Sequence, residues 1–310
     1  MSGEAPHSIS CMLTAGAIQG VASDSFVRLL RPMRIRGKGR LLEKVVPHSG
    51  ERFAQIFGAR IRLDLADHIQ RWIYFGIMEP DETLWVKTWL GQGMTVVDVG
   101  ANVGYYTLLA ASLVGVSGKV LAIEPSPYAY NRLQEAVASN QLSQVVTRQC
   151  ALGSVEGEMT LYSPPSDNHT PSMIFAGQAG GIGVKVTSLD NCLQEWHGAT
   201  VDLLKLDVEG FEPHVLAGAS SALKSGRIRA ILCEFNDWWL RRAGSSAEDL
   251  ATLIEANGFV DAFAIALPYL GGSQSRFFVH RAADAHSWRN RLPRTRLSLT
   301  SPSIPISRSS

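Results

Sequence analysis

Cysteine is scarce in this chain. Only Cys11, Cys150, Cys192 and Cys233 occur among 310 residues, with no Cys-x-x-Cys pair and no histidine grouping at zinc spacing. That excludes a disulfide framework and a structural zinc module. Cys150 and Cys233 fall in or at the ends of apolar stretches and read as small buried hydrophobes. The expected compartment is a reducing cytoplasm. No stretch approaches the roughly 20 apolar residues of a membrane span, so stable membrane insertion is not expected. Ile9 to Ala22 is mildly apolar, but no basic run precedes it and it contains Gln19, so no secretory signal is expected there. Internal repeats are missing too, which excludes a solenoid or propeller.

Charge is sparse, at 18% of residues against 45% apolar, which leaves ample material for a sizeable α/β core. The net charge of +1 hides an uneven distribution. Residues 1–60 carry nine Lys/Arg against four Asp/Glu and residues 281–310 carry six against one, leaving a net of −9 for 61–280. An acidic body argues against a nucleic-acid substrate, because phosphate contacts need basic surface. The basic ends read as solvated tails. Arg28 to Arg40 is basic with interleaved apolar residues. Such a stretch suits either a membrane surface or a segment packing its leucines on the core, and the second reading is adopted.

What is present is concentrated between Thr95 and His280. Alternating apolar strands and helical stretches predict a mostly parallel, doubly wound sheet of seven strands with helices on both faces. The strands are placed at 95–99, 119–124, 145–149, 201–207, 228–235, 259–263 and 276–280, and the helices at 103–114, 126–139, 211–224 and 246–256. Residues 157–187 break the rhythm with Pro164-Pro165 and Gly180-Gly181, which predicts a hairpin-and-loop insertion serving as a substrate lid. Upstream, Phe53–Phe57 and Ile61–Leu65 flank a predicted hairpin turn at Gly58-Ala59, and Pro80 to Leu90 reads as a helix. The Pro-, Ser- and Arg-rich stretch from Arg289 on is expected to be disordered.

The central motif is Val96-Val-Asp98-Val-Gly100-Ala101-Asn102-Val-Gly104. An apolar strand ends in an acid and a glycine turn, and a helix follows, the arrangement that brings a strand end and a helix N-terminus against a charged small molecule. Twenty residues on, the strand Val120 to Ile123 ends in Glu124-Pro125, a carboxylate placed for two ribose hydroxyls. An adenosine cofactor fits both. A nicotinamide fingerprint needs Gly-x-Gly-x-x-Gly, and here Asn102 stands at the second glycine and Tyr105 at the third. S-adenosylmethionine carries no pyrophosphate to cradle and offers an ammonium group to Asp98, so it is preferred. An NAD-dependent oxidoreductase and a non-catalytic adenosine-binding protein are the alternatives.

Four separated motifs then carry a resemblance. Asp98-Val-Gly-Ala-Asn-Val-Gly-Tyr-Tyr-Thr-Leu-Leu109, Ile123-Glu-Pro-Ser-Pro127, Val186-Thr-Ser-Leu-Asp190, and Lys205-Leu-Asp-Val-Glu-Gly-Phe-Glu212 with Val215-Leu-Ala-Gly218 resemble the FkbM-type methyltransferases. So does Asp67-His-Ile-Gln-Arg-Trp-Ile-Tyr-Phe-Gly76 with Glu79-Pro80, giving coverage of roughly residues 60 to 280. The resemblance implies a Rossmann-like fold, S-adenosyl-L-methionine as cofactor, and O-methylation of a hydroxyl on a sugar or natural-product-like small molecule. It divides the chain into an N-terminal extension (1–45), a hairpin and helix segment closing the site (46–90), the methyltransferase domain (91–285) and a tail (286–310).

By the same resemblance, the cofactor contacts are Glu79, Asp98, Gly100, Ala101, Asn102, Gly104, Glu124, Pro125, Ser126, Ala151 and Asp207, with Ala151 near the adenine and Glu79 over the methionine end. The methyl is already activated, so the enzyme must chiefly align the acceptor and take its proton. Asp207, Glu209, Glu234 and His214 are the candidates for that work, with Glu209 alternatively capping the next helix. His169 in the lid and His68 are further histidines whose bland reading is structural. Trp238-Trp239 suits either an acceptor pocket or a helix anchor. Asp207 with Glu209 is too thin a ligand set to expect a metal.

Overall fold

The computed structural model describes residues 24–33, 37–162, 181–196, 200–263 and 273–283. They fall into two compact units. One takes in the described residues up to Gln55 together with Ile61–Met78, the other Ile56–Arg60 and everything from Glu79 on.

The first unit begins with two short helices, α1 (24–30) and α2 (Lys38–Val45), in a stretch where the sequence has no clear period. Leu30 and Leu42 are buried while Leu29 and Leu41 face solvent. The hairpin strands β1 (Glu51–Ile56) and β2 (Ala59–Asp64) follow. Their turn is Phe57-Gly58, one residue earlier than the sequence suggested, and both take positive φ (52° and 83°). That left-handed pair matches the twist of a two-residue hairpin. Helix α3 (His68–Phe75) starts on an Asp67 cap that accepts twice from Gln70: its backbone N–H goes to Oδ1 and its side-chain amide to Oδ2, each at 3.0 Å.

In the second unit, α4 (Pro80–Trp89) precedes the central strand β3 (Thr95–Val99), buried along its whole length. Helix α5 (Tyr105–Val114), β4 (Lys119–Ile123), α6 (Pro127–Ser139) and β5 (Val145–Arg148) complete the first half. The short β6 (Ala151–Leu152) joins β7 (Gly157–Leu161) and β8 (Ile182–Thr187) in a separate three-stranded sheet, so the predicted hairpin exists. The centre of the proposed lid, 163–180, lies outside the described residues, as do the expected tail from Arg289 and the Ile9–Ala22 run. Helix α7 (Leu189–Glu195) was not expected. Strand β9 (Leu203–Leu206) is followed by α8 (Glu212–Ala217) and α9 (Ser220–Lys224), then β10 (Ala230–Asn236), α10 (Asp237–Arg242), α11 (Ala247–Ala256), β11 (Phe259–Asp261) and β12 (Ser273–His280).

The single helix expected over 211–224 is therefore two. The chain breaks at Gly218, where a Cβ would lie 2.0 Å from the Gly153 carbonyl oxygen, so the helix passes too close to the neighbouring loop for any side chain.

The main sheet has the order β11-β12-β10-β9-β3-β4-β5. All neighbours from β10 to β5 are parallel, and β12 runs antiparallel to both β10 and β11. This is the doubly wound α/β architecture expected from the alternation. Strand residues send alternate side chains to opposite faces. Val97, Leu121, Leu204 and Ile231 pack with α8, α9 and α11, while Val96, Val120, Leu203 and Leu232 pack with α4 and α5. Burial on both faces explains why these strands read as continuous apolar runs. Strand order reverses between β3 and β9, which fixes the crevice at their carboxyl ends.

Candidate functional site

The glycine turn after β3 is held from both sides. Gly100 and Ala101 donate their N–H groups to the Ile123 carbonyl at the end of β4, at 3.0 and 3.1 Å. On the other side the end of β9 comes so near that a Cβ on Gly100 would lie 1.8 Å from the Asp207 carbonyl oxygen. With φ at +75°, position 100 admits only glycine. Asn102 also takes a left-handed φ of 49°, and its side chain accepts from Val103 N–H at 2.7 Å.

Glu124 closes this turn. Its Oε2 accepts from Asn102 N–H and its Oε1 from Ser126 N–H, both at 2.8 Å. Ser126 in turn caps α6 through Ala129 N–H, behind Pro125. Burial raises the Glu124 pKa to about 7, against the pull of these two N–H donors.

Asp98 is 1% exposed. Thr107 donates to its Oδ2 at 2.7 Å, while Oδ1 has no hydrogen-bond partner among the described residues. Lys205 Nζ lies 3.8 Å from that oxygen, 3.1 Å from Asp207 Oδ2 and 3.2 Å from the Gly100 carbonyl.

Beside these groups opens a small cleft lined by Glu79, Tyr106, Lys205, Asp207, Glu234 and Ser275. Tyr106 donates to Glu79 Oε2 at 2.6 Å. Glu79 is pushed up to about 8, by burial first and then by the charges of Asp207 and Glu82. Glu234 accepts from Ser273 at 2.8 Å, and burial followed by Asp207 and Glu209 raises its pKa well above the carboxylate range.

Residues 98–260 match the methyltransferase FkbM domain. The chain belongs to the FkbM methyltransferase family. Its relatives include the hexuronic acid methyltransferase AglP of Haloferax volcanii, 27% identical over 177 residues that cover 57% of this chain and 62% of that protein. Methyltransferase sdnD of Sordaria araneosa is 32% identical over 155 residues, covering 40% of this chain and 59% of its own. The 31-O-demethyl-FK506 methyltransferase FkbM of Streptomyces tacrolimicus is 28% identical over 200 residues, covering 55% and 74%. The chain thus spans about three fifths of the length of the first two relatives.

The cofactor of this FkbM-family chain is S-adenosyl-L-methionine. The residues present suit it: an orphaned buried carboxylate oxygen on Asp98 and an excess of acids around one lysine match a group carrying ammonium and sulfonium charges. Gly100, Ala101, Asn102 and Gly104 form one turn, flanked by Asp98 on β3 and by Glu124 after β4. Ala151 opens β6 and is 2% exposed, packed with Leu161, Val184 and Val186. Among the described residues, no group of three or more His, Cys, Asp or Glu is arranged to hold a metal ion, and no helix is long and apolar enough to cross a membrane.

Asp207 and Glu234 share the cleft, and His214 is not among its lining residues. The His214 ring lies 4.8 Å from Phe211 and its Nδ1 has no hydrogen-bond partner among the described residues. Glu209 takes a left-handed φ of 53°. The acid that caps this turn is instead Glu212, whose Oε1 accepts from Val208 N–H and Gly210 N–H at 3.0 and 3.3 Å. His68 contacts Trp72 edge-on at 5.5 Å, and His169 lies outside the described residues. Trp238 and Trp239 meet edge-to-face at 4.5 Å on α10, with the Arg242 guanidinium 3.4 Å over the Trp238 ring.

Lys205, Tyr106 and Glu212 escaped the sequence reading. For Lys205 a signal existed, since a lysine within Leu203-Leu-Lys-Leu206 is a charge inside a buried strand.

Proposed function

We propose that this chain transfers a methyl group from S-adenosyl-L-methionine to a hydroxyl oxygen of a sugar or natural-product-like small molecule. The cofactor, when bound, supplies a methyl already activated by its sulfonium. In this reading Asp98 holds the ammonium, the turn Gly100–Gly104, its own N–H groups spent on Ile123, Glu124, Asn102 and Ala101, shapes the floor of the site, and Glu124 takes the ribose through its remaining lone pairs. Pro125, Ser126 and Ala151 flank the adenine, and Glu79 covers the methionine end.

The base is Asp207. The observation that carries this is its carboxylate, 30% exposed, lining the cleft and paired with Lys205 at 3.1 Å. Glu234, its rival, already accepts from Ser273 at 2.8 Å, and burial with the charges of Asp207 and Glu209 raises its pKa well above that of a free carboxyl. Asp207 would take the hydroxyl proton; the methyl would pass to the acceptor oxygen as its bond to sulfur breaks, with S-adenosylhomocysteine as the leaving group. Glu209 stands in the same turn, and His214 is left without a catalytic part. The family names of relatives that act on a hexuronic acid and on a demethylated FK506 support an oxygen acceptor on a small molecule rather than a nucleic acid.

Two titrations test this. Calorimetry with S-adenosylhomocysteine, run beside NAD, should give micromolar binding of the first alone. Binding of NAD alone would replace the proposal with an oxidoreductase. Transfer of radiolabelled methyl to a panel of glycosides, uronic acids included, should then label at least one hydroxyl acceptor and be lost in Asp207→Asn. A D207N variant of unchanged turnover would remove Asp207 from the base role.

A further inference from the structure

We infer that Lys205 is a positioning residue of the cofactor site: its ammonium fixes the Gly100 turn and keeps Asp98 ionised to receive the cofactor's ammonium group. The inference rests on the reading in which Asp98 faces that group. Lys205 lies on β9 and reaches the neighbouring strand end. One Nζ spans the Gly100 carbonyl at 3.2 Å, Asp207 Oδ2 at 3.1 Å and Asp98 Oδ1 at 3.8 Å. Lysine is 6% exposed here and Asp98 1%, so neither charge is stabilised by bulk water and each depends on the other.

The groups facing Lys205 come from every element around it. Asp98 stands on β3, Asp207 follows β9, Glu79 precedes α4, and the Tyr106 ring of α5 lies 5.1 Å from Nζ. Glu124 at the end of β4 also feels this charge, and Glu234 of β10 lines the same cleft. Burial opposes the ammonium, yet Asp207, Asp98 and Glu79 together hold its pKa above the ordinary lysine value. Asp98 is the converse case. Burial pushes it up, and the attraction of Lys205, ahead of the Thr107 hydrogen bond, pulls it back. Removing the lysine charge therefore leaves a buried carboxyl that prefers its proton, which an incoming ammonium must expel.

The test is calorimetric titration of the full chain with S-adenosylhomocysteine, in buffers of different ionisation enthalpy, for wild type, Lys205→Met, Lys205→Gln and Lys205→Arg. K205Q removes the charge and keeps a polar amide on a stem one atom shorter. Both uncharged variants should release about one proton more per ligand bound than wild type, and their affinity should rise with pH more steeply than that of wild type, by up to about tenfold per unit. K205R should restore the wild-type proton count. A K205Q variant with the wild-type proton count, or one that fails to fold, overturns the inference and leaves Lys205 a structural residue. Wild-type protein that binds no S-adenosylhomocysteine would instead remove the methyltransferase reading itself.

Discussion

Tyr106 donates a 2.6 Å hydrogen bond to Glu79, tying the first turn of α5 to the residue from which α4 departs. Glu79 holds a left-handed φ of 34°, a conformation that a non-glycine residue keeps only when its surroundings fix it. The bond supplies that constraint, and burial keeps the Tyr106 hydroxyl neutral and donating. Tyr106→Phe should therefore cost about 1–3 kcal/mol in denaturant unfolding, the penalty of a buried acceptor left without its donor. No loss of stability would mean that other contacts hold Glu79.

Glu79 also sets a pH dependence. Its folded pKa, about 8 against 4.5 for a free carboxyl, is raised, so the folded state binds the proton more tightly. Its contribution is complete below about pH 4.5 and is lost as pH rises through about 8. The melting temperature should fall across that window, and Glu79→Gln should flatten the fall. An unaltered slope in E79Q would assign the effect to Glu124 or Glu212, each raised by burial to about 7.

Gly100→Ala should not yield folded protein. The added Cβ would sit 1.8 Å from the Asp207 carbonyl oxygen at a φ of +75°. Backbone strain alone costs about 1–3 kcal/mol there, and the clash adds to it. Circular dichroism of the soluble fraction decides the matter, and a native-like melt would show that the two strand ends can move apart.

Glu124→Ala should weaken S-adenosylhomocysteine binding by on the order of 2 kcal/mol, through lost charge-assisted hydrogen bonds. It should also lower the melting temperature of the free protein, since the N–H groups of Asn102 and Ser126 lose their acceptor. Unchanged affinity beside a lowered melt would confine Glu124 to holding the turn.

Glu212→Ala should destabilise by about 2–4 kcal/mol, because two turn N–H groups lose their acceptor at a site 1% exposed. Glu209→Ala should cost less than half of that. Equal losses would mean that both acids hold the turn.

Apolar periodicity and the Asp98–Gly104 motif were sufficient for the sheet and its longer helices, but not for α7, α10 or the break at Gly218. Strand burial on two faces and a turn confined to glycine are local constraints, visible one residue at a time. What the tertiary structure decided is which charges meet. Glu209 and Glu212 are equivalent as acids in a turn, and only the backbone path to α8 turns Glu212 back onto Val208 and Gly210. Lys205, Glu79 and Tyr106 are separated by 126 and 27 positions, yet they stand at one cleft because β9 lies beside β3. The pKa of a buried carboxyl depends on neighbours brought from other elements and on lost water, and neither is written in the local sequence.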